Sequence, residues 1–144
     1  MKRKIMDKNI IKVIDVNVNR AREGLRVIED TVRLIKRDSF FFKQLRSFRH
    51  KVSELFKSGE TELIAARTAN SDIGRSSRQL AYRDVDNIVK ANFKRVQESL
   101  RVLEEYSRLC FKDKVQDIKR IRFKIYSLEK RYYEQYKVVQ ALYY

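Results

Sequence analysis

The pattern N-x-x-R-x-x-E-x-L-R-V occurs twice in this chain of 144 residues, from Asn17 and again from Asn92, 75 positions later. Aligning the two asparagines pairs Arg20 with Arg95, Glu23 with Glu98, Leu25 with Leu100, Arg26 with Arg101, Val27 with Val102, Glu29 with Glu104, Arg33 with Arg108 and Leu34 with Leu109. The likeness continues more weakly where Lys43-Gln44-Leu45-Arg46 resembles Lys119-Arg120-Ile121-Arg122. A repeat of this length predicts two helical hairpins related by an approximate twofold.

Each copy reads as a long helix. Ile10, Ile14, Asn17, Ala21, Gly24, Ile28, Val32 and Ile35 recur at alternating steps of four and three, and Asp7 can cap their start, so a helix is predicted over residues 8 to 37. A second is predicted over 40 to 57, with Phe41, Leu45, Phe48, Val52 and Leu55 or Phe56 inward and Ser58-Gly59 at its end. A short helix over 61 to 68 leads into residues 69 to 77, the stretch richest in turn formers. A long helix over 80 to 110 carries Val85, Ile88, Asn92, Val96, Leu100, Leu103 and Cys110 on one face. Asp113 and Gln116 have capping-box spacing and open a last helix to 142, along which Ile118, Ile121, Ile125, Leu128, Tyr132, Val139 and Leu142 repeat at helical spacing. The expected fold class is all-α: a bundle of about five helices in one domain over 1–144, with repeat units 8–57 and 80–142 joined by the connector 58–79.

The chain has no proline and only three glycines, which suits long helices, and its 43% hydrophobic content, spread throughout, argues for a packed core. No apolar run is long enough to cross a membrane and no apolar segment follows the basic N-terminus, so a cytoplasmic protein is expected. The single cysteine, Cys110, sits on an apolar stripe and reads as core filler. With one histidine, one cysteine and no P-loop or dinucleotide glycine motif, a Cys/His metal cluster and a glycine-cradled nucleotide are both excluded. A formal charge of +15 predicts attraction to anions without choosing among nucleic acid, lipid and phosphorylated metabolites.

At about 100° per residue, Asn17, Arg20 and Gly24 share one helical face, with Glu23 at its border where its carboxylate can orient Arg20. Arg22, Arg26 and Arg33 point away, and Arg26/Asp30 and Glu29/Arg33 have the i,i+4 spacing of a solvated face. Asn92, Arg95, Glu98 and Ser99 repeat the set, so two facing copies would gather two asparagines, two arginines and two glutamates. Such a cluster suits a phosphate and a metal ion. For either copy taken alone, interhelical hydrogen bonds and ion pairs that fix register are the more ordinary use of such residues. Arg67, Asp72 and Gly74 in the connector form either a ligand-facing loop or a simple link, and His50, beside Arg49, is a surface residue or a functional one.

The stretch Asp15-Val16-Asn17-Val18-Asn19-Arg20-Ala21-Arg22-Glu23-Gly24-Leu25-Arg26-Val27-Ile28-Glu29-Asp30 resembles the opening signature of a small helical family found alone or fused ahead of thiamine phosphate synthase. Arg49-His50, Ala66-Arg67, Asp72-Ile73-Gly74, Arg83 and the run from Ala91 to Tyr106 follow in that family's order, so the resemblance covers about residues 8 to 128. Thr68 and Arg75 depart from it, standing where an acidic and a small residue are expected.

The resemblance implies a hydroxymethylpyrimidine phosphate kinase, which uses ATP and magnesium to convert the pyrimidine monophosphate of thiamine biosynthesis to its diphosphate. It implies catalytic roles for Arg20, Glu23, Asp72, Arg95 and Glu98, with magnesium on Glu23, Asp72 or Glu98. Asn17, Asn92, Arg67, Gly74, Arg49 and His50 are the implied substrate- and phosphate-binding positions. The synthase barrel is not part of this sequence, so the product would pass to a separate thiamine phosphate synthase. Two other classes remain open: a basic helical nucleic-acid-binding module and a non-catalytic partner of the synthase. The tyrosines at 132, 133, 136, 143 and 144 offer core packing or a homodimer contact.

Overall fold

A computed structural model describes residues 7–138, and these form five α-helices and no strand. Helix α1 spans Lys8–Leu34 and starts where the Asp7 carboxylate accepts the Asn9 N–H at 2.7 Å. It stops before the predicted residue 37 because Arg37 takes a left-handed φ of 53° and Asp38 caps the next helix by accepting the Phe41 N–H at 3.1 Å. Ile35, expected on the inward stripe, therefore lies past the helix and is exposed. Helix α2 spans Ser39–Leu55 and buries Leu55 while Phe56, just beyond it, is buried as well.

A 3-10 turn at Lys57–Gly59 leads into α3, Glu60–Ala65, which buries Leu63 but leaves Ile64 and Ala65 in solvent. Residues 66 to 84 contain one 3-10 turn, Ala69–Ser71, and are exposed from Arg67 onward. Helix α4, Val85–Cys110, begins five residues later than predicted, where Asp84 accepts the Asn87 N–H at 2.8 Å. The predicted Asp113/Gln116 capping box does not form. Residues Lys112–Lys114 make a 3-10 turn instead, and α5, Val115–Gln135, starts from Lys114 without a side-chain cap. It ends at Gln135 rather than continuing, since Lys137 turns left-handed at φ 50°. Val139, Leu142, Tyr143 and Tyr144 lie outside the described residues.

α1 and α4 form the centre of the bundle and run antiparallel, with Gly24 against Asn92 and Lys36 paired to Asp86 at 3.1 Å. α2 folds back on α1 and α5 on α4, and α2 meets α5 through the Phe41 and Tyr132 rings. Leu25, Ile28, Val32, Leu45, Val52, Phe93, Leu100, Leu103, Ile118 and Ile125 fill the core. Tyr132 is fully buried with its hydroxyl donating to Asp86 at 2.9 Å, so this tyrosine serves the core, not a subunit contact.

The twofold relation also holds in the outer helices, in a register shifted from the sequence likeness. Leu45, Phe48, Val52 and Leu55 of α2 match the buried Ile118, Ile121, Ile125 and Leu128 of α5 at a separation of 73 positions, not the 76 that pairs Lys43 with Lys119. Burial, not letter identity, sets the correspondence. No helix among the described residues is long and apolar enough to cross a membrane.

Candidate functional site

The central helices approach closely at Gly24. A Cβ there would lie 2.8 Å from Cγ2 of Val96 and 3.3 Å from the Asn92 carbonyl oxygen, so the backbones approach where no side chain intervenes. Beside this crossing, α1 and α4 leave a cleft of about 550 Å3. Asn17, Arg20, Glu23, Gly24 and Val27 line one wall, and their repeat partners Asn92, Arg95, Glu98, Ser99 and Val102 line the other. The two copies of the motif do face each other.

The asparagines are buried, yet they do not bridge the helices. Asn17 donates its side-chain N–H to the Val13 carbonyl at 2.8 Å, and Asn92 does the same to Ile88 at 2.8 Å. Each amide is thereby fixed by its own helix, which removes the interhelical hydrogen bond as the reason for its presence. The Asn92 oxygen accepts a long 3.5 Å contact from Arg95. Arg20, Glu23, Arg95 and Glu98 are exposed, and none forms an ion pair with a described residue, so the expected pairing of Glu23 with Arg20 is not made. The cleft thus presents two guanidiniums and two carboxylates that no described residue neutralises, above a floor of amides.

The structure does not bring the other predicted residues to this cleft. Arg49 is clamped by Glu29 through two bonds, at 2.6 and 3.2 Å, and Arg67 by Asp15 at 2.7 and 3.0 Å. Those carboxylates raise both guanidinium pKa values through their hydrogen bonds. Asp72 accepts the Gly74 N–H at 2.7 Å in an exposed turn, and neither residue lines the cleft. His50 lines a different groove, between α2 and α5. Among the described residues, no group of three or more His, Cys, Asp or Glu converges to hold a metal ion. Within the cleft, the carboxylates available to a cation are Glu23 and Glu98.

Two features escape the sequence reading. Glu29, expected on the solvated face beside Arg33, is only 2% exposed and belongs to Arg49, and its repeat partner Glu104 holds Arg122 in the same way. The recurrence of glutamate at 29 and 104 was the available signal, masked by the local i,i+4 partner. Gln79, from the connector, joins the cleft lining and has no counterpart in the repeat. Cys110 is half-buried with its thiol donating to the Tyr106 carbonyl, and burial pushes its pKa up, which fits a filler rather than a nucleophile.

Comparison with known proteins places the chain beside one group. It is 36% identical over 121 residues to a thiamine-phosphate synthase of Thermosynechococcus vestitus, a match covering 82% of this chain and 34% of that protein. A thiamine-phosphate synthase of a Nostoc species is 37% identical over 123 residues, with 83% of this chain and 34% of the relative covered. One from Rhodopirellula baltica is 28% identical over 124 residues. The chain therefore spans about a third of the length of the curated relatives it matches. No solved structure matches it. The model of the ThiD2 family matches residues 12–131, which is most of the chain and includes both walls of the cleft, and the chain belongs to that family.

Proposed function

We propose that this protein is a phosphomethylpyrimidine kinase, transferring the γ-phosphoryl group of ATP to hydroxymethylpyrimidine monophosphate to give the diphosphate and ADP. The observation that carries the reading is the convergence of both Asn/Arg/Glu sets on one cleft between α1 and α4. The similarity to part of several thiamine-phosphate synthases supports a place in thiamine biosynthesis, with the product passed to such a synthase.

The acceptor is a phosphate oxygen that is already ionised near neutral pH, so the reaction asks for no strong general base. Its demand is to bring two anions together and to stabilise charge on the transferred group. Arg20 and Arg95, one on each wall and without a carboxylate partner among the described residues, supply bidentate donors for the two phosphate chains. Glu23 and Glu98 are the groups that would hold a magnesium ion, which takes few protein carboxylates and supplies neutralisation of phosphate charge when bound. Asn17, immobilised by its i−4 carbonyl, keeps its amide oxygen for the amino edge of the pyrimidine, while the Asn92 oxygen faces Arg95 and can help aim that guanidinium. Arg49 and Arg67, already committed to Glu29 and Asp15, hold the frame.

An ADP-release assay with the pyrimidine monophosphate, the free pyrimidine and pyridoxal tests the proposal. Turnover of the monophosphate is expected. Activity on none of the three would overturn it, and an inert chain that still co-purifies with a thiamine-phosphate synthase would point to a partner role instead.

A further inference from the structure

The second large concavity lies between α2 and α5, has a volume of about 820 Å3 and shares no lining residue with the α1/α4 cleft. Its charge is of another kind. The cleft balances two arginines with two glutamates, whereas the groove carries Lys43, Arg46, Lys51, Lys114, Arg120 and Lys124 against Glu54 and Asp117. Those two acids neutralise little of it. Asp117 pairs with Arg120 at 3.0 Å, and Glu54 makes its ion pair with Lys57, which does not line the groove. Lys43, Arg46 and Lys124 have no ion pair with a described residue. The trough thus has six cations to two acids, a denser positive charge than the chain as a whole carries.

We propose that the α2/α5 groove binds single-stranded nucleic acid through its phosphodiester backbone. The cations line both walls, over about 12 Å of α2 from Lys43 to Lys51 and about 6 Å of α5 from Arg120 to Lys124 at 1.5 Å per residue, with Lys114 in the turn before α5 lengthening the second wall, which suits successive phosphates along a strand more than one phosphate group. The shape is a concave trough between two helices. Duplex grooves are read by a projecting helix or ribbon, and a flat bilayer would not reach cations set on opposing walls. Leu55 and Ile121, both buried, form the floor of the trough, and His50 on its wall adds an exposed ring on which a base can stack. This inference is independent of the kinase reading, since none of these residues lines the cleft.

The test is fluorescence anisotropy of a labelled mixed-sequence RNA 20-mer with the full chain across a salt series. The R46E/K124E double variant is expected to bind at least about tenfold more weakly and to lower the slope of log K against log salt by about 1.4, as for two lost single-strand phosphate contacts. The R33E/R108E double variant changes net charge equally at exposed positions on α1 and α4 and is expected to bind nearly as wild type. Helical circular dichroism verifies folding, and K43Q/K124Q replaces the first pair if reversal of charge unfolds it. Equal weakening by the two charge-reversed pairs would assign binding to diffuse charge and overturn the site. Displacement of the strand by equimolar ATP would assign the groove to a nucleotide and overturn it too, as would absence of RNA binding by the wild type at low salt.

Discussion

The two hairpins, α1 with α2 and α4 with α5, are built on the same polar frame but set it at different depths. In the second, Arg122 and Glu104 are both buried, whereas in the first the matching Glu29 is buried but Arg49 keeps a fifth of its side chain, 19%, in solvent. The connector adds a third pair, tying Arg67 to Asp15 of α1, and its arginine is 45% exposed. At the cleft the walls also diverge, with Gly24 replaced by Ser99 at the equivalent position of the repeat and Gln79 present without a twin. Duplication accounts for a symmetric set of charges, and these departures give the two walls unlike surroundings. The proposed reaction, which brings together two different phosphorylated molecules, would draw on such unlikeness.

The largest expected effect is on stability. Glu104→Ala strands the most buried guanidinium and should cost about 3–5 kcal/mol in denaturant unfolding, with Glu29→Ala costing less and Asp15→Ala least, in order of arginine exposure. An equal cost at all three would mean that burial does not distinguish the hairpins. Next comes activity: Arg20→Ala and Arg95→Ala should each lower kcat/KM by roughly 100-fold, about 2.7 kcal/mol, without loss of folding. If one variant raises KM for ATP and the other KM for the monophosphate, the walls are assigned to their substrates. If both fold and keep wild-type rates, the cleft is not the site.

Gly24→Ala should destabilise by about 1–3 kcal/mol, because the new Cβ falls 2.8 Å from Val96 and 3.3 Å from a backbone oxygen, offset in part by better helix propensity. Ser99→Ala, its counterpart on the other wall, should cost under about 1 kcal/mol, both variants being compared with wild type by denaturant unfolding. The smallest effect concerns the tie between the hairpins, where Tyr136 donates to Asp38 at 2.6 Å. Burial and that carboxylate push Tyr136 up to about 12, above its ordinary 10.0. Its contribution is therefore intact below pH 10 and is lost as pH rises towards 12. Tyr136→Phe should remove that part of the alkaline slope, under about 1 kcal/mol because the site is partly open to solvent. On the acid side, burial would raise the Asp38 pKa, but hydrogen bonds from Tyr136, the Phe41 N–H and Gln135 outweigh it and lower it. That stability is present above the ordinary carboxylate range and lost as pH falls through the lowered value.

Helix existence and inward faces are legible in the letters because a 3.6-residue period needs only local spacing, as Ile14, Ala21, Ile28 and Val32 show. Helix ends are less so. The Asp113/Gln116 spacing fits a cap, but Lys112–Lys114 form a 3-10 turn that places neither residue at one. The convergence of Asn17, Arg20 and Glu23 with Asn92, Arg95 and Glu98 is readable from the repeat plus the helical wheel. The partners of Glu29 and Asp15 are not, since Arg49 and Arg67 lie 20 and 52 residues away while a plausible local partner such as Arg33 competes on paper.

By itself the sequence determined the helices, their duplication and the doubled Asn/Arg/Glu motif, because these depend on local backbone periodicity and on identity between copies. Tertiary packing alone decided which charges remain available. It spent Arg49 and Arg67 on buried carboxylates and left Arg20 and Arg95 open. It also gathered Lys43, Arg46 and Lys124 into one groove. A charge's role depends on its desolvation and nearest partner, and both are set by contacts between segments distant in the chain.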